Sequence, residues 1–156
     1  MSKAKKILLV VLALLLIIQF IRPSKNQSED LITDRDISKK YTTPDAVHKI
    51  LVQKCYDCHS NRSNYPWYFN IQPVGWWMDH HITEGKEHLN FSEFTTYTEK
   101  RANHKMNEVS EAVNEGWMPI DSYLWTHHDA KITQEDRDAV NAWIKTLGIP
   151  QEEEHH

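Results

Sequence analysis

Cysteine is nearly absent from this chain of 156 residues, which has only two. A zinc site would need four protein ligands, and no second cysteine pair exists to complete one. Glycine is also scarce, at four residues, and no internal repeat is visible. An excess of positive charge is missing too. The formal net charge is −4, without the basic face that nucleic acid demands. No segment alternates apolar and polar residues as a half-buried strand would, so the chain reads as all-α. No catalytic nucleophile or general base can be named from the pattern.

The two cysteines that are present fall three apart, and a histidine follows the second: Cys55-Tyr56-Asp57-Cys58-His59. This C-x-x-C-H pattern is the one by which haem is joined to a chain through two thioethers. The spacing suits that chemistry. Two thiols must reach two vinyl groups on one porphyrin edge, while the adjacent imidazole swings under the ring to meet the iron. The rival readings are weaker. Zinc would have to recruit His59 and another of the ten histidines. A thioredoxin-like pair would need a βαβ context that the flanks do not offer. A simple disulfide leaves the histidine unexplained.

Residues 1–22 stand apart. Lys3, Lys5 and Lys6 precede the apolar run Ile7 to Ile18, which continues through Gln19 to Phe20 and Ile21. That reads as a single N-terminal transmembrane helix, at the boundary between a signal-peptide core and a short span. Neither an Ala-x-Ala-like cleavage site nor a cysteine for lipid attachment follows, which favours an uncleaved anchor. The lysines before the run place the N-terminus in the cytoplasm and the remainder in the periplasm of a bacterial inner membrane. Residues 23–42 are polar and read as a tether. Residues 43–150 form the expected domain, and residues 151–156, with His155 and His156, a charged tail.

Within the domain, Thr43 is expected as N-cap with Pro44 at the first helical position, followed by Val47, Ile50, Leu51 and Lys54 at helical spacing. This helix runs into the C-x-x-C-H motif. Residues 60–73 form an aromatic loop whose Tyr65, Trp67, Tyr68 and Phe69 are expected to wall a flat apolar cofactor. A helix is expected over 74–89, and Asn90 to Glu93 offers a capping box. Ala102, Met106, Val109 and Val113 mark another helix, closed by Gly116. A last one opens at Thr133 and carries Val140, Trp143, Ile144 and Leu147, with Gly148 and Pro150 ending it. The terminal helices are expected to pack together over the haem edge.

An iron dedicated to electron transfer needs a second axial ligand. Met118, in Gly116-Trp117-Met118-Pro119, is the first candidate, because proline keeps the preceding residue extended and helps aim its sulfur. Met78 and Met106 read as core residues. His80-His81 and His127-His128 compete, with His81 favoured among them because tryptophans surround it.

The chain resembles the bacterial haem-binding-domain family, small C-x-x-C-H proteins often carrying an N-terminal anchor. The resemblance covers roughly residues 46–147. Besides the motif it rests on Asn64-Tyr65-Pro66-Trp67-Tyr68, Pro73-Val74-Gly75-Trp76, His81-Ile82-Thr83-Glu84-Gly85-Lys86, Leu89-Asn90-Phe91-Ser92-Glu93, Met118-Pro119 and Tyr123. Relatives commonly carry an acidic residue before the methionine, where this chain has Trp117. The resemblance implies a cytochrome c-like helical fold with one haem c bound through Cys55, Cys58 and His59. It hands over no enzymatic activity.

The expectation from sequence is therefore a membrane-anchored monohaem c-type cytochrome with Met118 as sixth ligand and His81 as the alternative. It would pass single electrons between redox partner proteins at the membrane rather than act as an enzyme. The other reading is a haem enzyme or gas sensor with an open sixth position. Electron donor, acceptor, reduction potential and oligomeric state lie outside what the pattern encodes.

Overall fold

The computed structural model describes residues 1–150; the charged tail with His155 and His156 lies outside them. Among the described residues there are helices and short 3-10 turns but no strand, only an isolated bridge between Gln27 and Arg62. The all-α expectation holds.

Three helices make the core. α3 (Asp45–Lys54) buries Val47, Ile50 and Leu51. α6 (Glu99–Glu115) buries Ala102, Met106, Val109, Ala112 and Val113, and α8 (Gln134–Thr146) buries Val140, Trp143 and Ile144. α8 packs against both of the others. Their ends follow from local chemistry. The Thr98 hydroxyl caps α6, and Gly116 ends it with φ 77°, a conformation that costs a residue with a Cβ. Thr133 and Asp136 cap each other's backbone reciprocally at the start of α8.

Between these in the chain lie the helix that carries most of the motif and the helix it packs on. α4 (Tyr56–His59) is a single turn packed against α5 (Val74–His88). Gly85 permits that contact: a Cβ there would lie 2.8 Å from the Cys58 carbonyl oxygen. Four local expectations shift. α3 begins at Asp45 with Pro44 as its cap residue, and the Thr43 hydroxyl instead donates to the Tyr41 carbonyl. Residues 91–96 form a 3-10 turn capped by Asn90 without a reciprocal box, because Glu93 is drawn away to Arg35 and Asn61. The aromatic loop holds a 3-10 turn, Trp67–Asn70. Met106 is fully buried as expected, whereas Met78 is only half-buried beside a small cavity.

The segment read as a tether is packed in place. Asn26 donates to the Ser60 carbonyl and the Ser63 hydroxyl, while Asp36 and Ile37 are wholly buried beside α2 (Ile37–Lys40). The physical reason is a long-range pair: Asp36 accepts a 2.9 Å hydrogen bond from Tyr56, inside the haem motif, and caps α2 through Ser38. Polarity along the sequence here marks a satisfied buried network rather than a solvated linker.

The transmembrane expectation needs correction. α1 (Lys3–Ile18) has 16 residues, about 24 Å of rise against a hydrocarbon core of about 30 Å. No helix of the described residues is long and apolar enough to cross a membrane. α1 nonetheless buries none of its side chains against the protein.

Candidate functional site

A cavity of about 550 Å³ opens between α4, α5, α6 and the loop that follows α6. That volume lies within the range of cofactor pockets, about 300–1,000 Å³. Its walls gather residues far apart in sequence. Cys55, Cys58 and His59 come from the motif, His81 and Gly85 from α5, and Trp117, Met118 and Pro119 from the loop. Leu89, Phe91, Val109, Ala112, Val113 and Ile132 make much of the surface apolar. Glu84, Glu108 and Glu111 also line it, with His88.

His59 has its tautomer fixed by the Leu89 carbonyl. Its Nδ1 lies 3.0 Å from the Leu89 carbonyl oxygen, an acceptor only, so Nδ1 carries the proton and donates. Nε2 is thereby left with its lone pair free, the tautomer a metal ligand needs. Burial holds the His59 pKa below its ordinary value, against the opposing pull of the Leu89 and Gly85 carbonyls. The imidazole is thus neutral at physiological pH.

Both cysteines are free thiols, half-buried at the cavity wall. Burial first, then the neighbouring Cys58, pushes the Cys55 thiol up to about 12. Burial and Asp57 push Cys58 up to about 11. These are protonated, weakly nucleophilic thiols, unlike the activated cysteine of an enzyme. Among the described residues, no three His, Cys, Asp or Glu side chains converge so as to hold a bare metal ion.

Asp57, between the cysteines, tethers the opposite wall. Its carboxylate accepts from the Tyr123 hydroxyl at 2.7 Å and from the Asn64 backbone and side-chain amides at 3.0 Å each. Tyr123 lies in α7 (Asp121–Leu124), directly after the loop bearing Met118. Its ring stacks on His127 at 4.1 Å between centroids. Burial and the Asp57 charge raise the Tyr123 pKa, so the phenol stays a donor.

The structure brings together the residues expected to attach the haem or ligate its iron. Cys55, Cys58, His59, Met118 and His81 all line the one cavity. His81 also faces a smaller cavity of about 60 Å³ and meets the edge of Trp77 at 4.6 Å. The other histidines diverge: His80 pairs with Glu84 at 3.4 Å on the surface, and His127 packs on Tyr123. The aromatic loop does not wall the main cavity. Phe69 is buried, Tyr68 reaches only the smaller cavity, and Trp67 is 75% exposed. Its rings pack among themselves, with Tyr65 on Phe69 at 4.2 Å. Sequence reasoning named Gly85, Leu89 and Tyr123 only within the blocks shared with the family and missed what they do: the close approach at Gly85, the Leu89 carbonyl on His59 and the Asp57–Tyr123 bond.

A family model, the haem-binding domain, matches residues 13–146. The chain belongs to this family. Its haem-binding domain therefore spans every described helix after α1, and of α1 only residues 13–18. No curated protein and no solved structure matches the chain. The residues present fit a haem: an apolar cavity of suitable size, an imidazole with its outward nitrogen unprotonated, and two thiols beside it.

Proposed function

We propose that this haem-binding domain is a monohaem c-type cytochrome that carries single electrons outside the bacterial cytoplasm, at the inner membrane. Cys55 and Cys58 would hold the haem covalently, each through a thioether made by net addition of its S–H to a vinyl double bond, with no atom lost. His59 would offer Nε2 to the iron, kept aimed by the Leu89 carbonyl. Met118 would offer its thioether sulfur from the loop wall, which favours a higher reduction potential than a second imidazole would. When bound, the haem supplies the one-electron change of its iron. The protein contributes ligation, burial and a surface on which redox partners dock.

One observation carries this reading: a single cavity is lined by both cysteines, by the Leu89-bound His59 and, from a distant loop, by Met118. The carboxylates Glu84, Glu108 and Glu111 around it suit a partner with a basic face. From Ile7 onward α1 is apolar on all sides and buries nothing against the protein, so we assign it to lipid, which keeps the domain at the membrane after export.

The test is ligand competition on purified, haem-loaded protein. The reduced wild type is expected to be low-spin and slow to bind carbon monoxide, while Met118→Ala binds it readily. Equal, rapid binding by both would instead favour an open sixth position and a haem enzyme or sensor. Should Met118→Ala leave the spectrum unchanged while His81→Ala alters it, the ligand is His81, which lines the same cavity.

A further inference from the structure

α1 does not swing freely from the domain. The Gln19 side chain donates to the Gln72 carbonyl at 3.0 Å and accepts from the Gln72 amide at 2.9 Å, a two-point pairing across 53 residues. The Trp76 indole donates to the Ile21 carbonyl at 2.8 Å. These bonds clamp the end of the apolar helix to the start of α5. Around the clamp, apolar side chains stand out to solvent: Phe20 at 89% exposure and Ile21 at 59%, with Ile71 and Val74 beside Gln72. Trp77 follows Val74 by three residues on the same face of α5 and is 44% exposed. Arg22 and Lys25 flank this shelf and are exposed.

We propose that this shelf, Phe20, Ile21, Ile71, Val74 and Trp77, rests in the headgroup region of an anionic phospholipid bilayer and sets the orientation of the haem cavity above it. The inference rests on the assignment of α1 to lipid and adds a second contact to it. Continuity selects lipid over a protein partner. The shelf is hydrogen-bonded to the end of a helix that is apolar on every side from Ile7 onward, so wherever that part of α1 enters lipid, the shelf arrives at its surface. The composition agrees: a tryptophan and aliphatic side chains edged by two cations is the make-up of an interfacial contact. Val74, Trp77 and His81 share one face of α5, and His81 lines the cavity. From Val74 to His81 the helix rises about 10 Å, with Trp77 of the shelf already in contact with His81. The bound haem would then lie close to the membrane surface, within reach of membrane-embedded electron partners.

Photocrosslinking of the full-length, haem-loaded protein in vesicles of phosphatidylethanolamine and phosphatidylglycerol tests this. The photoreactive residue p-benzoylphenylalanine replaces Leu12 in α1, Ile71 or Val74 in the shelf, or Lys145 in α8, one at a time. Lipid adducts are expected at Leu12, Ile71 and Val74, and none at Lys145. Adducts at Leu12 without any at Ile71 or Val74 overturn the shelf while leaving α1 in lipid. No adduct at Leu12 overturns both. Equal labelling at Lys145 would mean non-specific contact and would likewise defeat the proposal.

Discussion

The two walls of the haem cavity are built by different means. The motif wall is helix against helix, with the α4 backbone on α5 at Gly85, Tyr56 bonded to buried Asp36, and His59 bonded to Leu89. The Met118 wall is a loop, half-buried, between Gly116 and the short α7, and Tyr123 latches it to Asp57. A fixed wall suits the covalent attachment proposed for Cys55 and Cys58 and holds His59 in place. A latched loop can present Met118 to the cavity without bearing on the fold. Damage to the first wall should therefore cost stability, and damage to the second should alter ligation.

The largest effect is expected at Gly85→Ala. Its Cβ would meet a backbone oxygen that cannot move without shifting the motif, so the loss should be about 3 kcal/mol in urea unfolding. Tyr56→Phe follows. It strips Asp36 of a buried partner and should cost about 2 kcal/mol, with the α2 segment losing protection from hydrogen exchange first. On the other wall, Tyr123→Phe should cost only about 1 kcal/mol yet raise the rate at which cyanide displaces the sixth ligand. An equal loss of stability at Tyr123 and Gly85 would erase the contrast between the walls.

The smallest effect concerns pH and the haem-free chain. The folded His59 pKa lies below its ordinary 6.5, so the unfolded chain takes up this proton first as pH falls. The stability that His59 contributes is complete above about pH 6.5, and it is lost on acidification towards the folded pKa. Urea midpoints of haem-free protein should fall faster between about pH 7 and pH 5 than those of His59→Gln. Parallel curves would show that His59 is not buried as described.

Much of this architecture was legible because it is local. The stripe of Val140, Trp143 and Ile144, the Gly116 stop and the C-x-x-C-H spacing are encoded within a turn or two of helix. What escaped is long-range. Residues 23–42 read as a tether because the partners of Asn26 and Asp36 lie 20 to 60 residues away, at Tyr56, Ser60, Ser63 and Lys86. The aromatic loop read as a cofactor wall because ring content does not say which way rings face. α1 was legible as apolar, but its length as a helix was not, since its hydrogen-bonding pattern tightens to 3-10 turns from Gln19 onward. Within the site, the residues Cys55, Cys58, His59, His81 and Met118 were readable from sequence. Those that aim them were not, because a backbone carbonyl such as that of Leu89 has no signature.

Intact mass of protein produced alongside a working cytochrome c assembly system, measured after denaturation, tests the central claim most directly. A coloured polypeptide heavier by one haem is expected, with the increase abolished in the double variant Cys55→Ala, Cys58→Ala. A wild-type chain at the mass of the bare polypeptide, its haem lost on denaturation, would contradict it.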